Sequence, residues 1–273
     1  MVSKTESATY THGHHPSVIR SHGWRTAVNS VSYLLPHLKP DMKILDIGCG
    51  PGTITVDLAS YVPEGHVTGL EYVGEVILGQ ARTLAQERGV KNIDFVSGDA
   101  NALEYADGSF DVVMCHQVLQ HVGDPVGILK EMKRVTKSGG IVAAREADYG
   151  AFLWYPQNDG LDEWQSLYGK IARHNGGEPD AGRVLHVWAK QAGFADIKCS
   201  SSNWCYSSKD EIKWWAGSWV ERSVASSFAK TALDGKLATT EDLERVSNAW
   251  RAWGAHEDAW ISILSAEVIC RKE

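Results

Sequence analysis

A short apolar run, Lys43-Ile-Leu-Asp-Ile47, breaks into Gly48-Cys-Gly-Pro-Gly52 and then into a helical stretch through Ala59. Few folds accommodate that order. The run reads as a short buried strand, and the glycines end it. A glycine backbone can turn tightly and pass close to a ligand, and the first N–H groups of the helix beyond have no partner within it. In an open α/β sheet such a turn borders the crevice at the carboxyl ends of the strands, where ligands bind.

The alternation continues. His66-Val-Thr-Gly-Leu70 is a second strand, Val73 to Arg88 a helix closed by Gly89, Ile93-Asp-Phe-Val96 a third strand and Phe110-Asp-Val-Val-Met-Cys115 a fourth. Asp124 with Pro125 behind it starts a helix that places Val126, Leu129, Met132 and Val135 on one face. Gly139-Gly140 then leads into a fifth strand, Ile141 to Ala144. Strands alternating with helices predict a doubly wound α/β fold with a parallel sheet. Further on, Asp180 to Gly193 reads as a helix, with Ile197 to Tyr206 and Ile261 to Ile269 as strands. Between those strands, Ser208 with Glu211 forms a capping box, and Thr239 opens a helix with Leu243, Val246, Trp250 and Trp253 on one face. At 273 residues, a single domain is expected. Its parts are an N-terminal cap (1–40), a core (41–147) and helical insertions at 148–180 and 207–260.

A net charge of -7 argues against a phosphate-tracking surface and hence against nucleic acid as a partner. No apolar run reaches the roughly 20 residues of a membrane span. Met1 to His22 is polar and lacks the apolar stretch of a signal peptide, so a cytoplasmic location is expected. Cys49, Cys115, Cys199, Cys205 and Cys270 show no CxxC spacing, and those in predicted strands are expected to be small buried hydrophobes. His12, His14 and His15 lack a further ligand at a supporting spacing, so no metal is expected.

Spacing narrows the ligand. A dinucleotide fingerprint is GxGxxG, whereas here glycines fall at 48, 50 and 52, with Thr53 where the third should stand. Asp46 would repel a pyrophosphate but suits an ammonium group or another cation. Glu71, ending the second strand, is placed to accept hydrogen bonds from a ribose diol.

Ile44-Leu-Asp-Ile-Gly-Cys-Gly-Pro-Gly52 resembles the first motif of class I S-adenosylmethionine-dependent methyltransferases, especially the UbiE-type (ubiquinone/menaquinone biosynthesis) branch. The likeness continues in order through Glu71, Gly98-Asp99-Ala100, Phe110-Asp111, Val118-Leu-Gln-His-Val122 and Asp124-Pro125. Lys130-Glu131 and Lys133-Arg134 before Gly139-Gly140 extend it, so that it covers roughly residues 30 to 147. The resemblance implies a Rossmann-like seven-stranded sheet, with a helical cap at the N-terminus and a helical insertion before the last strand. It implies S-adenosyl-L-methionine as cofactor. Asp46, Gly48, Cys49 and Gly50 would border its methionine part, and Glu71 its ribose, with Tyr72 beside the adenine. Gly98, Asp99 and Ala100 would meet the adenine, and Cys115, His116 and Gln117 the methionine end.

Transfer of a methyl group from a sulfonium chiefly requires a nucleophile held in line and water kept out. A base helps when the nucleophile must lose a proton. His121 and Glu146 are the candidates, with Asp148 nearby, and Tyr10 is a candidate for cation–π contact with the sulfonium. The expected acceptor is a small molecule methylated at O, N, S or C. A quinone ring, a cofactor-binding protein that transfers no methyl, and a nicotinamide-dependent oxidoreductase are the alternatives. Seven of eleven tryptophans fall between Trp204 and Trp260, and a lid, a private core and a homodimer interface all remain open for them. His174-Asn175-Gly176-Gly177 could reach the pocket, and Arg183 could bind an anion or merely snorkel.

Overall fold

The computed structural model describes residues 8–11, 23–72 and 74–273. The histidines at 12, 14, 15 and 22 and much of the expected cap lie outside the described residues, as does Val73.

Five parallel strands form the body of the sheet: β1 (Lys43–Ile47), β2 (His66–Glu71), β3 (Ile93–Ser97), β4 (Phe110–His116) and β5 (Thr136–Ala147), in spatial order β3-β2-β1-β4-β5. Along β4 and β5, Val112, Met114, Ile141 and Ala143 join one apolar cluster, while Val113, Cys115, Val142 and Ala144 join another. That two-residue period places both faces in a core, as a parallel sheet requires. Helices α1 (Ala27–Ser30) and α2 (Thr53–Ala59) contribute to the first cluster, and α4 (Pro125–Val135) with α6 (Ala181–Gln191) to the second. Between β2 and β3 runs α3 (Glu75–Glu87), whose Leu78 and Ala81 pack with Phe95. The Asp124 carboxylate accepts the Gly127 N–H at 2.8 Å, and Pro125 occupies the first turn of α4.

The sheet is completed by β6 (Leu153–Tyr155), β7 (Asp196–Tyr206) and β8 (Trp260–Arg271), with β8 antiparallel to β5, β6 and β7. Because β7 pairs along the whole of one edge of β8, β5 and β6 must follow one another along the other. The seven expected strands are therefore joined by a short eighth, β6. Cys115 and Cys270 are buried, but Cys199 and Cys205 are exposed. They lie on β7, an outer strand whose alternate residues meet solvent, which corrects the expectation of buried strand cysteines.

Three helices separate β7 from β8: α7 (Lys209–Ala225), α8 (Ser227–Asp234) and α9 (Thr240–Gly254). The expected capping box forms at Ser208, and Thr239 forms a second one with Asp242. A further helix, α5 (Asp159–His174), packs against them. Trp164 of α5 meets Trp219 of α7 at 4.6 Å between ring centroids and Trp250 of α9 at 4.9 Å, both edge-on. Edge-to-face rings at this spacing gain roughly 0.5–1.5 kcal/mol beyond simple burial. Trp164, Trp219, Trp250 and Trp253 are thus a private core for the insertion.

Candidate active site

The glycine loop closes on the carboxyl end of β1. Gly48, Gly50 and Gly52 all have positive φ, of 70°, 52° and 79°. A Cβ on Gly48 would overlap Val118, and one on Gly52 would lie 2.7 Å from the Ala81 Cβ, so here glycine is required by packing as well as by torsion. Behind the loop stands Asp46, 3 % exposed, whose carboxylate accepts the Thr55 hydroxyl at 2.7 Å. Burial pushes its pKa up to about 7, which the Thr55 bond only partly opposes. At the end of β2, Glu71 accepts from Gly50 N and Tyr72 N, each at 2.9 Å. After β3, Asp99 accepts from the backbone and side-chain amides of Asn101.

One cleft joins these groups. Its wall includes Tyr10, Asp46, Gly48, Cys49, Gly50, Glu71, Tyr72, Gly98, Asp99, Ala100, His116, Gln117 and His121, which are thirteen of the fifteen expected site residues. Cys115 and Glu146 are not among them. The Cys115 side chain is fully buried in the core with Leu45, Ile47 and Val113. Glu146 is fully buried too, and it accepts backbone N–H groups from Val118 (3.1 Å), Leu119 (2.9 Å) and Gln120 (3.2 Å). It holds the turn after β4 and does not line the cleft, whereas the sequence reading made it a candidate base. Asp148 is likewise engaged, by the Arg183 guanidinium at 2.8 Å.

That turn presents strained geometry to the cleft. Gln117 has φ of 54°, uncommon for a residue with a side chain, and its Oε1 accepts from Arg25 Nη2 at 2.6 Å. His116 Nε2 lies 3.0 Å from the Arg145 guanidinium and accepts from it. The side-chain oxygen of Gln120 accepts Ala147 N–H at 3.1 Å, which turns its NH2 toward His121 Nε2 at 3.0 Å. With Nε2 accepting from Gln120, the His121 proton resides on Nδ1. Burial, reinforced by Arg25, lowers the His121 pKa to about 3. The ring is neutral, with its proton on Nδ1.

Tyr10 meets His121 edge-on at 4.9 Å. Its segment is anchored by Thr9 N–H to Asn175 O at 2.9 Å and by Asn175 Nδ2 to Thr11 Oγ1 at 3.2 Å. The 174–177 turn therefore acts on the cleft indirectly, by tying down the segment that carries Tyr10. The opposite wall is aromatic, with Tyr149, Phe152, Trp204, Tyr206, Trp214 and Trp215. Trp204, Trp214 and Trp215 thus face the cleft, while Trp164, Trp219, Trp250 and Trp253 fill the private core.

Two charged wall residues have no role in the sequence reading, Arg25 and Arg222. Arg222 was detectable, because it continues the buried stripe Ile212, Trp215, Trp219 along α7, where a charge is out of place.

Comparison with known proteins identifies the family. The family described as "Methyltransferase domain" matches residues 38–215, well over half of the chain. The chain is a class I S-adenosylmethionine-dependent methyltransferase. The methyltransferase is 35% identical, over the full length of both chains, to an uncharacterized methyltransferase of Schizosaccharomyces pombe. It is 40% identical over 117 residues to the demethylmenaquinone methyltransferase of Lactococcus lactis, covering 42% of this chain and 46% of that one. Its fold matches a phosphoethanolamine N-methyltransferase of Haemonchus contortus with a TM-score of 0.55 at 17% identity, over 89% of this chain and 52% of that one. The methyltransferase reading displaces the nicotinamide alternative, as the glycine spacing implied.

The cleft of this methyltransferase suits its cofactor, S-adenosylmethionine. Asp46 is a buried carboxylate facing a cleft with one hydroxyl as its side-chain donor among the described residues, a setting that a cationic ligand group would complete. No helix of the described residues is long and apolar enough to cross a membrane. Among them, no group of three or more His, Cys, Asp or Glu side chains is placed to hold a metal.

Proposed function

We propose that the enzyme methylates a small aromatic or conjugated acceptor, and does so by positioning it rather than by removing its proton. The observation that supports this is the continuity of one cleft, from Asp46, Glu71 and Asp99 to the wall of Tyr149, Phe152, Trp204, Tyr206, Trp214 and Trp215. When bound, S-adenosylmethionine supplies an electrophilic methyl on a sulfonium. Asp46 would take the ammonium end, Glu71 the ribose and Asp99 the adenine. Tyr10 remains protonated, since burial raises its pKa to about 12, and offers its ring and hydroxyl beside His121. The aromatic wall excludes water and orients a flat acceptor, which is where most of the rate gain of such a displacement arises.

The likeness to the menaquinone enzyme covers 42% of this chain, too little by itself to carry a quinone acceptor. Calorimetric titration with S-adenosylhomocysteine, with NAD as control, tests the cofactor half. Micromolar binding of the former alone is expected, and preference for NAD would overturn the reading. Incubation with labelled S-adenosylmethionine and a panel of phenols, thiols, amines and quinones tests the acceptor half.

A further inference from the structure

The cleft is electrically divided. All three carboxylates on its wall, Asp46, Glu71 and Asp99, come from the ends of the first three strands. Both arginines, Arg25 and Arg222, stand among the aromatic residues instead. Arg222 is only 4 % exposed, with its guanidinium 5.2 Å from the Trp219 ring centroid. Arg25 lies 5.5 Å from the Trp204 ring, and its hydrogen bond goes to a neutral amide, Gln117. No ion pair compensates Arg25 among the described residues. Its Nε, the Tyr206 hydroxyl and the Trp215 indole N–H are buried polar atoms without a hydrogen-bond partner. All three residues line the cleft. Burial lowers the pKa of both arginines, that of Arg222 to about 10. A buried cation such as Arg25 and orphaned donors are each costly unless something accepts from them.

We propose that this end of the cleft is an anion subsite, and that the acceptor is a flat aromatic or conjugated molecule bearing a carboxylate held by Arg25 and Arg222. The inference rests on the methyltransferase reading above. Donors dominate the subsite, and a guanidinium fork matches the two coplanar oxygens of a carboxylate. Tyr206 and Trp215, whose rings lie 5.3 Å apart, supply further N–H and O–H donors alongside apolar surface for the skeleton. A neutral amide of the same shape would present an NH2 group to these donors and be rejected.

The test uses protein saturated with S-adenosylhomocysteine and matched acid and amide pairs: benzoate and benzamide, 2-naphthoate and 2-naphthamide, indole-3-carboxylate and indole-3-carboxamide. At least one acid is expected to bind about tenfold or more tighter than its amide. Arg222→Met should erase that preference while leaving S-adenosylhomocysteine affinity within about twofold, and Arg222→Lys should retain part of it. Equal binding of acids and amides by the unaltered protein, or binding of none, would overturn the proposal without recourse to any variant. If Arg25→Gln and Arg222→Met both keep the acid preference, and Arg25→Gln instead weakens S-adenosylhomocysteine, the arginines serve the cofactor's own carboxylate and the proposal falls. Failure of the unaltered protein to bind S-adenosylhomocysteine is a separate outcome, which sinks the methyltransferase reading itself.

Discussion

Glu146 accepts the backbone N–H of Leu119 at 2.9 Å, and through that bond and two neighbouring ones the fifth strand dictates the turn that follows the fourth. Gln117, Val118 and His121 reach the cleft from this turn. In Glu146→Ala, two buried N–H groups and a part-buried one would lose their acceptor, at about 1–3 kcal/mol each when left unsatisfied. A loss of at least about 3 kcal/mol is expected, read as a fall in Tm of roughly 6–12 °C for a chain of this size. Glu146→Gln should retain part of the stability, since its amide oxygen can still accept. Identical melting of the parent and the alanine variant would show that the turn holds itself.

Asp46 links cofactor binding to pH. Its folded-state pKa of about 7 exceeds the ordinary 3.8, so between those values the fold keeps a proton that the unfolded chain has released. Stability contributed by the protonated group is present below pH 4 and lost as pH rises through 7. A cationic ligand group favours the ionised form, so affinity should follow the fraction ionised. From pH 6 to pH 8 that fraction rises about tenfold, and the S-adenosylhomocysteine dissociation constant should fall by a similar factor. Calorimetry at the two pH values reads this directly, and a flat affinity would remove Asp46 from the ammonium end.

Gly48→Ala combines two penalties, a φ of 70° and an overlap with Val118. Together they should cost about 2–4 kcal/mol in urea denaturation. Adding Val118→Ala relieves the overlap but not the torsion, so the double variant should recover only part. Full recovery would assign the whole effect to packing.

His121 has its accepting nitrogen occupied by Gln120 and a pKa near 3. A general base typically contributes 10²–10⁴-fold to the rate. His121→Asn should therefore lower kcat by no more than about tenfold and leave the pH profile without a lost inflection. A hundredfold loss with a vanished acidic limb would restore His121 as the base.

The cofactor half was legible because its determinants are local. Asp46, the glycines and Thr55 fall within ten residues, and the strand period brackets them. Glu71 and Asp99 end strands whose boundaries the apolar runs mark. Arg25 and Arg222 meet only through the fold, since one precedes the first strand and the other lies in an insertion before the last. No spacing rule joins them. Helix α5 carries a readable stripe of Leu161, Trp164, Tyr168 and Ile171 behind its Asn158 cap, but Gly160 and Gly169 blunt the helical signal. Strand β6 has three residues, too few for any period to emerge. Glu146 reads as a catalytic carboxylate from its place just after the run Ile141–Ala144, and only the fold shows its three N–H partners.

The position of β8 between β5 and β7 has a consequence for how the chain acquires its shape during synthesis. Strands β1 to β5 pair in parallel with neighbours already made, so the cofactor crevice can assemble while translation proceeds. The long edge of β7 has nothing to pair with until residues 260–271 emerge and slide in beside it. Until then the acceptor wall carried by Trp204 and Tyr206 lacks the strand that fixes it. The enzyme would be born with its nucleotide crevice first and its substrate specificity last.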